Sequence, residues 1–464
     1  MASLSRQLAQ WIVGLKYEDL PPAVIDRAKG FTLHCLSSIL IGSQTKPGRD
    51  AVELISTDEA GVQHGATIMV SGGKVTKSGA AFANSEMAFA GGKWDTFRML
   101  MHPGTSVIPG AMAAAEATGA TGREFITAVA AGYEVMERLA ADFIPTLMAR
   151  GFHPSPVFGI FGAAVAAAKI FRLNEDQMNS TIALCASLAS GNVEGARSGG
   201  RALREGAAVR NAMLAVALAR QGHVGGETVL EGDAGFYHAY VGNNLGQLTL
   251  SFVGATRASL DSITADLGKS WIFLETLYRI YSISGYNIAH IDVTAKLCAD
   301  NNIRHEEIER IEAVVNWLET QYPSPAFPSR REDQSRKAGG TAYHLAYAAI
   351  KRGFPMLRDW QPQSASVDDP PEVLELTQRV TIIPSHTMTL FGPRITIFTK
   401  DGKSHTLQGT GREFIWDYDE EVRRIRGVVP GLPIPAAQFD SVIETCRDLE
   451  RQERADALVR LTLK

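Results

Sequence analysis

Two histidines stand just ahead of stretches of very small residues. Met101-His-Pro-Gly-Thr-Ser-Val-Ile-Pro-Gly-Ala-Met-Ala-Ala-Ala-Glu116 carries His102, and Gly151-Phe-His-Pro-Ser-Pro-Val-Phe-Gly-Ile-Phe-Gly-Ala-Ala-Val-Ala-Ala-Ala-Lys169 carries His153. Each imidazole sits in a Gly/Pro-bracketed turn that leads into a helix. Proline is tolerated at a helix start because the first N–H groups lack intrahelical partners. Those N–H groups and the helix dipole favour a bound anion. Imidazole titrates near neutral pH and serves as acid or base. If the two helix mouths converge, they suit proton transfer on a carboxylate; taken singly, each is an ordinary helix start.

Other groups of suitable chemistry lie close by in the chain. Lys93-Trp-Asp-Thr-Phe-Arg98 supplies Asp95, Thr96 and Arg98 a few residues before His102. Asp95 suits orienting a histidine or binding a substrate hydroxyl, and Asp-Thr equally suits a turn or a helix cap. Gly195-Ala-Arg-Ser-Gly-Gly-Arg-Ala-Leu-Arg-Glu-Gly206 is glycine-rich and basic. Arg201 and Arg204 there suit a bidentate grip on a carboxylate, and glycines let an anion approach the backbone. The order is not that of a phosphate loop, and no strand precedes it as a dinucleotide fingerprint requires. Further on come Arg279, Tyr281, Tyr286 and His290, and Tyr322 follows a predicted strand. The remaining histidines, His34 and His344 among them, read as structural or surface residues.

Elements must position these groups. Up to about residue 250 the chain reads as helices separated by Gly/Pro turns, with Ala-rich runs at 111–117, 163–168 and 207–219. Alanine favours helix and permits close backbone approach, so these helices are expected in a buried α domain. Ser3–Leu15 is amphipathic and reads as a first helix. Near residue 270 the pattern changes. Residues 311–317, 380–383 and 394–399 read as strands, with 341–351 as a helix between the first two. Lys400-Asp-Gly-Lys403 signals a hairpin. Residues 362–372 and 430–435 read as loops, and 440–463 returns to helix. The expected architecture is a large helical domain, 1–269 completed by 406–464, and a smaller α+β lid domain over 270–405.

Composition narrows the function. The 464 residues carry 46 basic and 50 acidic side chains, a formal net charge of −4, and 21% charged against 45% hydrophobic residues. This near balance argues against a general role on nucleic acid or anionic membrane. The four cysteines are far apart and form no zinc pattern, so no metal is expected and a reduced, cytoplasmic setting fits.

The motifs together resemble the MmgE/PrpD family. His102-Pro-Gly with Ile108-Pro, Gly132-Tyr-Glu-Val135, Gly151-Phe-His-Pro154 and Glu231-Gly-Asp-Ala-Gly-Phe236 are similar to its HPx…P, GYE, GFHP and EGxxGF segments, in order. Tyr17-Glu-Asp-Leu-Pro-Pro is similar to its opening helices. The resemblance implies a homodimer and cofactor- and metal-independent chemistry on di- or tricarboxylates. It assigns Asp95, Thr96, His102, His153 and Tyr322 to catalysis. It assigns Arg201 and the 281–290 segment, with Tyr286 and His290, to the substrate; Arg98, Arg204 and Arg279 join them on chemistry. Three features depart from the pattern, one being that the 278–290 segment lacks the family's lysine, with Arg279 or Tyr281 near its place. The family's acidic run DxDDT is here Gly92-Lys-Trp-Asp-Thr96, and its loop lysine and following histidine are replaced by Arg201 and Arg204. The expected activity is a lyase of the dehydratase or decarboxylase type. An epimerase and a non-catalytic, carboxylate-binding dimeric relative are the alternatives.

Overall fold

A computed structural model describes residues 2–62, 64–194, 204–281, 283–321, 325, 340–354 and 370–464. Arg201 and Tyr322 lie outside the described residues. The chain divides into two compact units. The first comprises 1–249, 257–280 and 415–464, and the second comprises 250–256 and 281–414.

The first unit is mainly helical. In chain order it holds α1 (Leu4–Gly14), α2 (Pro22–Gly42), α3 (Lys46–Glu59), the short β1 (Ala66–Thr67) and β2 (Lys74–Val75), and α4 (Lys77–Gly91). Next come β3 (Trp94–Thr96), α5 (Gly104–Thr118), α6 (Gly122–Ala140), α7 (Ile144–Ala149), α8 (Pro154–Ile170), α9 (Glu175–Leu188), α10 (Arg204–Arg220) and α11 (Phe236–Val241). Its later segments add β4 (Leu277–Arg279), which pairs antiparallel with β3.

Small residues set the packing of these helices. All but one residue of α8 are buried, as are the first twelve of α5. A helix apolar all round belongs in an interior. A Cβ at Gly42 would overlap the Met87 carbonyl, and one at Gly91 would overlap the Ser38 carbonyl. Glycine at both positions therefore lets α2 and α4 cross backbone to backbone. Among the described residues, no helix is long and apolar enough to cross a membrane. All four cysteines are free and buried.

The second unit has α12 (Gly285–Asp300), β5 (Ile308–Asn316), α13 (Thr341–Lys351), α14 (Pro371–Thr377), β6 (Val380–Ser385), β7 (Arg394–Thr399) and β8 (Ser404–Gln408). The strands form one mixed sheet in the order β6-β5-β7-β8. β5 runs parallel to β6 and antiparallel to β7, and β7–β8 is the hairpin expected around Lys400–Lys403. A parallel pair needs a crossover, and α13 and α14 lie in it. On β7 the residues alternate, so that Ile395 and Ile397 join α12, α13 and α14 in one core while Arg394 faces out. The 362–372 loop expectation is corrected at its end: Pro371 and Glu372 open α14, where proline suits the first helical position. The chain then returns to the first unit with α15 (Tyr418–Ile425), α16 (Ala436–Arg447) and α17 (Ala457–Leu461).

Candidate active site

Three helix starts meet around Ser155. Its Oγ accepts a hydrogen bond from the His102 N–H (3.3 Å), just ahead of α5, and donates to Glu205 Oε2 (2.9 Å) in the first turn of α10. Its own N–H, in the first turn of α8, donates to His153 Nδ1 (3.3 Å). His153 is thus the N-cap of α8, its imidazole satisfying one of the orphan donors of the first turn. His102 and His153 are 4% and 3% exposed. The two histidines are thereby brought into one buried cluster within the first unit.

Strand β3 orients His102. Successive side chains on a strand point to opposite faces. Trp94 and Thr96 face His102: the Trp94 ring lies 4.6 Å from the imidazole, and Thr96 Oγ1 lies 3.5 Å from Nδ1. Nδ1 itself is 2.9 Å from the Asp95 carbonyl oxygen. The Asp95 carboxylate points the other way. It accepts from the Gly104 N–H at the start of α5 (2.8 Å) and from the Tyr133 hydroxyl (2.5 Å). The Asp95 backbone carbonyl, and not the carboxylate, bonds the His102 imidazole, because strand geometry separates the two. Burial raises the Asp95 carboxyl to about 6, against the lowering effect of the Tyr133 bond.

Behind the strand, His34 joins Glu421 through Nδ1 (2.7 Å) and the Trp94 carbonyl through Nε2 (2.9 Å). Both partners accept, so both ring nitrogens donate and this imidazole is a cation. Burial works against that charge, but the Glu421 carboxylate outweighs it and raises the proton affinity. Nothing in the sequence joins residues 34 and 421.

Cations and aromatic rings line the same region. Phe89 and Trp94 stack at 4.9 Å. The Arg204 guanidinium lies 5.4 Å from the Phe89 centroid and that of Arg279 lies 4.4 Å from Trp94. Arg204 Nε bonds Glu205 (3.2 Å), while its buried Nη1 has no hydrogen-bond partner among the described residues. Arg279 reaches this region because β4 pairs Arg279 with Trp94. Burial, aided by the Arg279 charge, lowers the Lys93 ammonium to about 8. Glu86 accepts from the Gly206 N–H (2.6 Å), and burial pushes its carboxyl well up, favouring the neutral acid.

The other expected residues are placed elsewhere. Arg98 pairs with Glu275 (2.7 Å) and is partly exposed. Tyr286 and His290 belong to α12 of the second unit. His290 is fully buried there, with Nε2 on Glu319 (2.9 Å) and Nδ1 3.3 Å from Asn287 Oδ1. Sequence reasoning passed over Ser155, Glu205 and Tyr133 as participants, although each lies within a quoted motif. Among the described residues no group of three or more His, Cys, Asp or Glu side chains could hold a metal ion.

The sequence profile of the MmgE/PrpD N-terminal domain matches residues 6–248. The chain is similar to the mouse cis-aconitate decarboxylase, 25% identical with 99% of this chain and 93% of the relative covered. It is 24% identical to a cis-aconitate decarboxylase-like protein of Aspergillus oryzae, covering 87% of this chain and 85% of that one. It is also 24% identical to the cis-aconitate decarboxylase of Aspergillus terreus, covering 87% and 84%. The profile spans just over half of the chain and includes both histidine motifs and the helix starts they serve; the chain belongs to the MmgE/PrpD family.

Proposed function

We propose that the protein is a lyase of small di- or tricarboxylates, of the dehydratase or decarboxylase type, working with its own imidazoles and cations. The observation that carries this reading is the meeting of His102, His153 and Arg204, whose Nη1 has no hydrogen-bond partner among the described residues, at three helix starts. A proton beside a carboxylate is weakly acidic, so the negative charge that develops on its removal must be stabilised. Arg204, Arg279, Lys93 and the helix N-termini supply positive potential, and the imidazoles move the proton. The names of the curated relatives support the decarboxylase type. Arg201, Tyr322, Tyr286 and His290 are proposed on the family resemblance as further substrate contacts, and the active form is proposed to be a homodimer in the cytoplasm.

The test is incubation of the pure protein with a panel of di- and tricarboxylates, cis-aconitate included, in heavy water. Deuterium uptake, carbon dioxide release or water loss, read by NMR, is expected for at least one compound. A second reading is a carboxylate-binding relative without catalysis. It is favoured by the engagement of the Asp95 carboxylate with Gly104 and Tyr133 rather than with an imidazole. Binding without exchange or turnover across the panel would establish that reading instead. Epimerisation would appear as deuterium incorporation with inversion at the exchanging stereocentre and no release of water or carbon dioxide.

A further inference from the structure

We infer that the helical unit carries a second binding site, remote from the histidine cluster, for a small organic dianion with an apolar body. The site is a cleft of about 430 Å³ between the end of α1, the start of α6 and the turn from α8 to α9. That volume falls within the ~300–1,000 Å³ typical of small-molecule sites. His153 caps one end of α8 and Lys169 stands in its last turn, at the cleft. The 17 residues of this helix, at ~1.5 Å each, put its two ends about 25 Å apart. The inference is therefore independent of the function proposed above.

Among the described residues, four cations and two carboxylates line the cleft. Each carboxylate is matched by an arginine: Glu18 pairs with Arg123 (3.4 Å) and Glu124 with Arg172 (2.7 Å). Lys16 and Lys169 are the remaining cations, and neither forms an ion pair with a described residue. Lys169 Nζ donates to the carbonyls of Ile12 (2.5 Å) and Leu15 (2.8 Å), which are open acceptors at the end of α1. This capping uses two of its three N–H donors and leaves one for a ligand. Because the Leu15 carbonyl leads directly into Lys16, the two ammonium side chains are rooted at neighbouring points of the cleft wall. Burial lowers the Lys169 ammonium to about 8, with Asp19 acting in the opposite direction without pairing. An anion in the cleft would supply the counter-charge that Glu18 and Glu124, already matched, do not.

The rest of the lining sets the shape of that anion. Leu15, Leu173 and Met178 are buried beneath the cations, and Val13 is 42% exposed. An inorganic ion would leave this apolar surface in water. A body with an apolar face and two negative charges covers it and meets both ammonium groups. Capping of α1 accounts for two donors of Lys169 and for nothing else in the cleft.

The test is calorimetric titration of the full chain, at neutral pH and low ionic strength, with phthalate, phenyl phosphate and inorganic phosphate. Phthalate carries two carboxylates and phenyl phosphate one phosphate on the same apolar ring, so this pair tells carboxylate from phosphate. Inorganic phosphate lacks the apolar body. Saturable binding of at least one aromatic dianion, tighter than that of inorganic phosphate, is expected. Lys16→Glu and Lys169→Met are each expected to weaken it at least ~10-fold, as for loss of a charged hydrogen-bond partner. Lys16 is exposed, so Lys16→Glu carries the test should Lys169→Met loosen α1. Binding is expected to persist unchanged in Arg204→Ala, at the histidine cluster, and in Lys46→Glu, at an exposed lysine of α3. Absence of saturable binding by both aromatic dianions overturns the inference. So does a Kd that moves in Arg204→Ala and not in the cleft variants, which assigns the binding to the histidine cluster. A Kd that moves equally in Lys46→Glu reduces the effect to general surface charge and overturns it too, and equal affinity for inorganic phosphate removes the apolar body from the ligand.

Discussion

His102 and His153 of the helical unit and His290 of the α+β unit are all buried but held differently, while His34 of the helical unit, like His290, bonds a carboxylate. In the helical unit, Nδ1 of His102 and of His153 is held by a backbone group, a carbonyl in one case and an N–H in the other. In the α+β unit, His290 is held by the Glu319 carboxylate, whose second oxygen accepts the Phe391 N–H (2.8 Å). A backbone partner sets the tautomer without supplying a counter-charge. A carboxylate partner ties the imidazole to a second buried side chain, which here also holds a backbone N–H. The second arrangement makes the histidine part of what holds its unit together. His290 can contact a ligand only by giving up one of its present partners.

That contrast predicts opposite effects on stability and activity. Glu319→Ala removes the partner of His290 and the acceptor of Phe391, and is expected to destabilise by ~2–4 kcal/mol, as for leaving two buried donors without an acceptor. His102→Gln removes a neutral hydrogen bond and is expected to destabilise by only ~1 kcal/mol. Urea unfolding of both variants checks the pair. Similar losses in the two would erase the distinction.

Asp95 sharpens it by pH. Its carboxyl is raised to about 6 by burial, against an ordinary value near 3.8. The folded state therefore binds this proton more tightly than the unfolded chain. The contribution is fully present below pH ~4 and lost as pH rises through about 6, with a span of ~3 kcal/mol. Comparing wild type with Asp95→Asn between pH 4 and 7 isolates it. A difference that grows toward pH 4 in favour of asparagine would contradict the sign.

Two arginines separate the cluster from the surface. Arg204→Ala is expected to reduce carboxylate turnover by ~2 kcal/mol or more in kcat/KM, as for loss of one partner of a desolvated charge pair. Arg98→Ala, which breaks a partly exposed pair with Glu275, is expected to cost at most ~1 kcal/mol of stability and to leave turnover near wild type. Equal kinetic losses would place Arg98 in the site.

Lys93 gives the smallest effect. With its ammonium lowered to about 8, its positive charge fades as pH rises through that value. Carboxylate affinity is expected to weaken above pH 8 in wild type and less so in Lys93→Arg. The stability sign is opposite to that of Asp95. Between about 8 and the ordinary lysine value the unfolded chain binds more protons, so this group raises stability as pH increases. Denaturation of wild type and Lys93→Met across that window checks it.

Periodicity and punctuation made much of the fold legible. Residues 394–399 and 341–351 are the observed strand and helix, because each has one apolar face and clear ends. His102 and His153 were legible as helix-start residues because proline and glycine surround them. The 371–372 helix start was not, since a proline pair reads as loop until the helix after it is counted. Arg279 could not be placed from spacing alone, because its nearness to Trp94 depends on β4 pairing with β3.

The sequence by itself determined the family, the two imidazoles and the Ala/Gly packing, since these rest on residue type and local order. Only the tertiary structure decided what each group touches. It turned the Asp95 carboxylate toward Tyr133 and away from His102, because strand side chains alternate. It also tied His34 to Glu421 and gave each imidazole its backbone partner. Those outcomes depend on which buried donor meets which acceptor once distant segments close together, and no local pattern along the chain encodes that pairing.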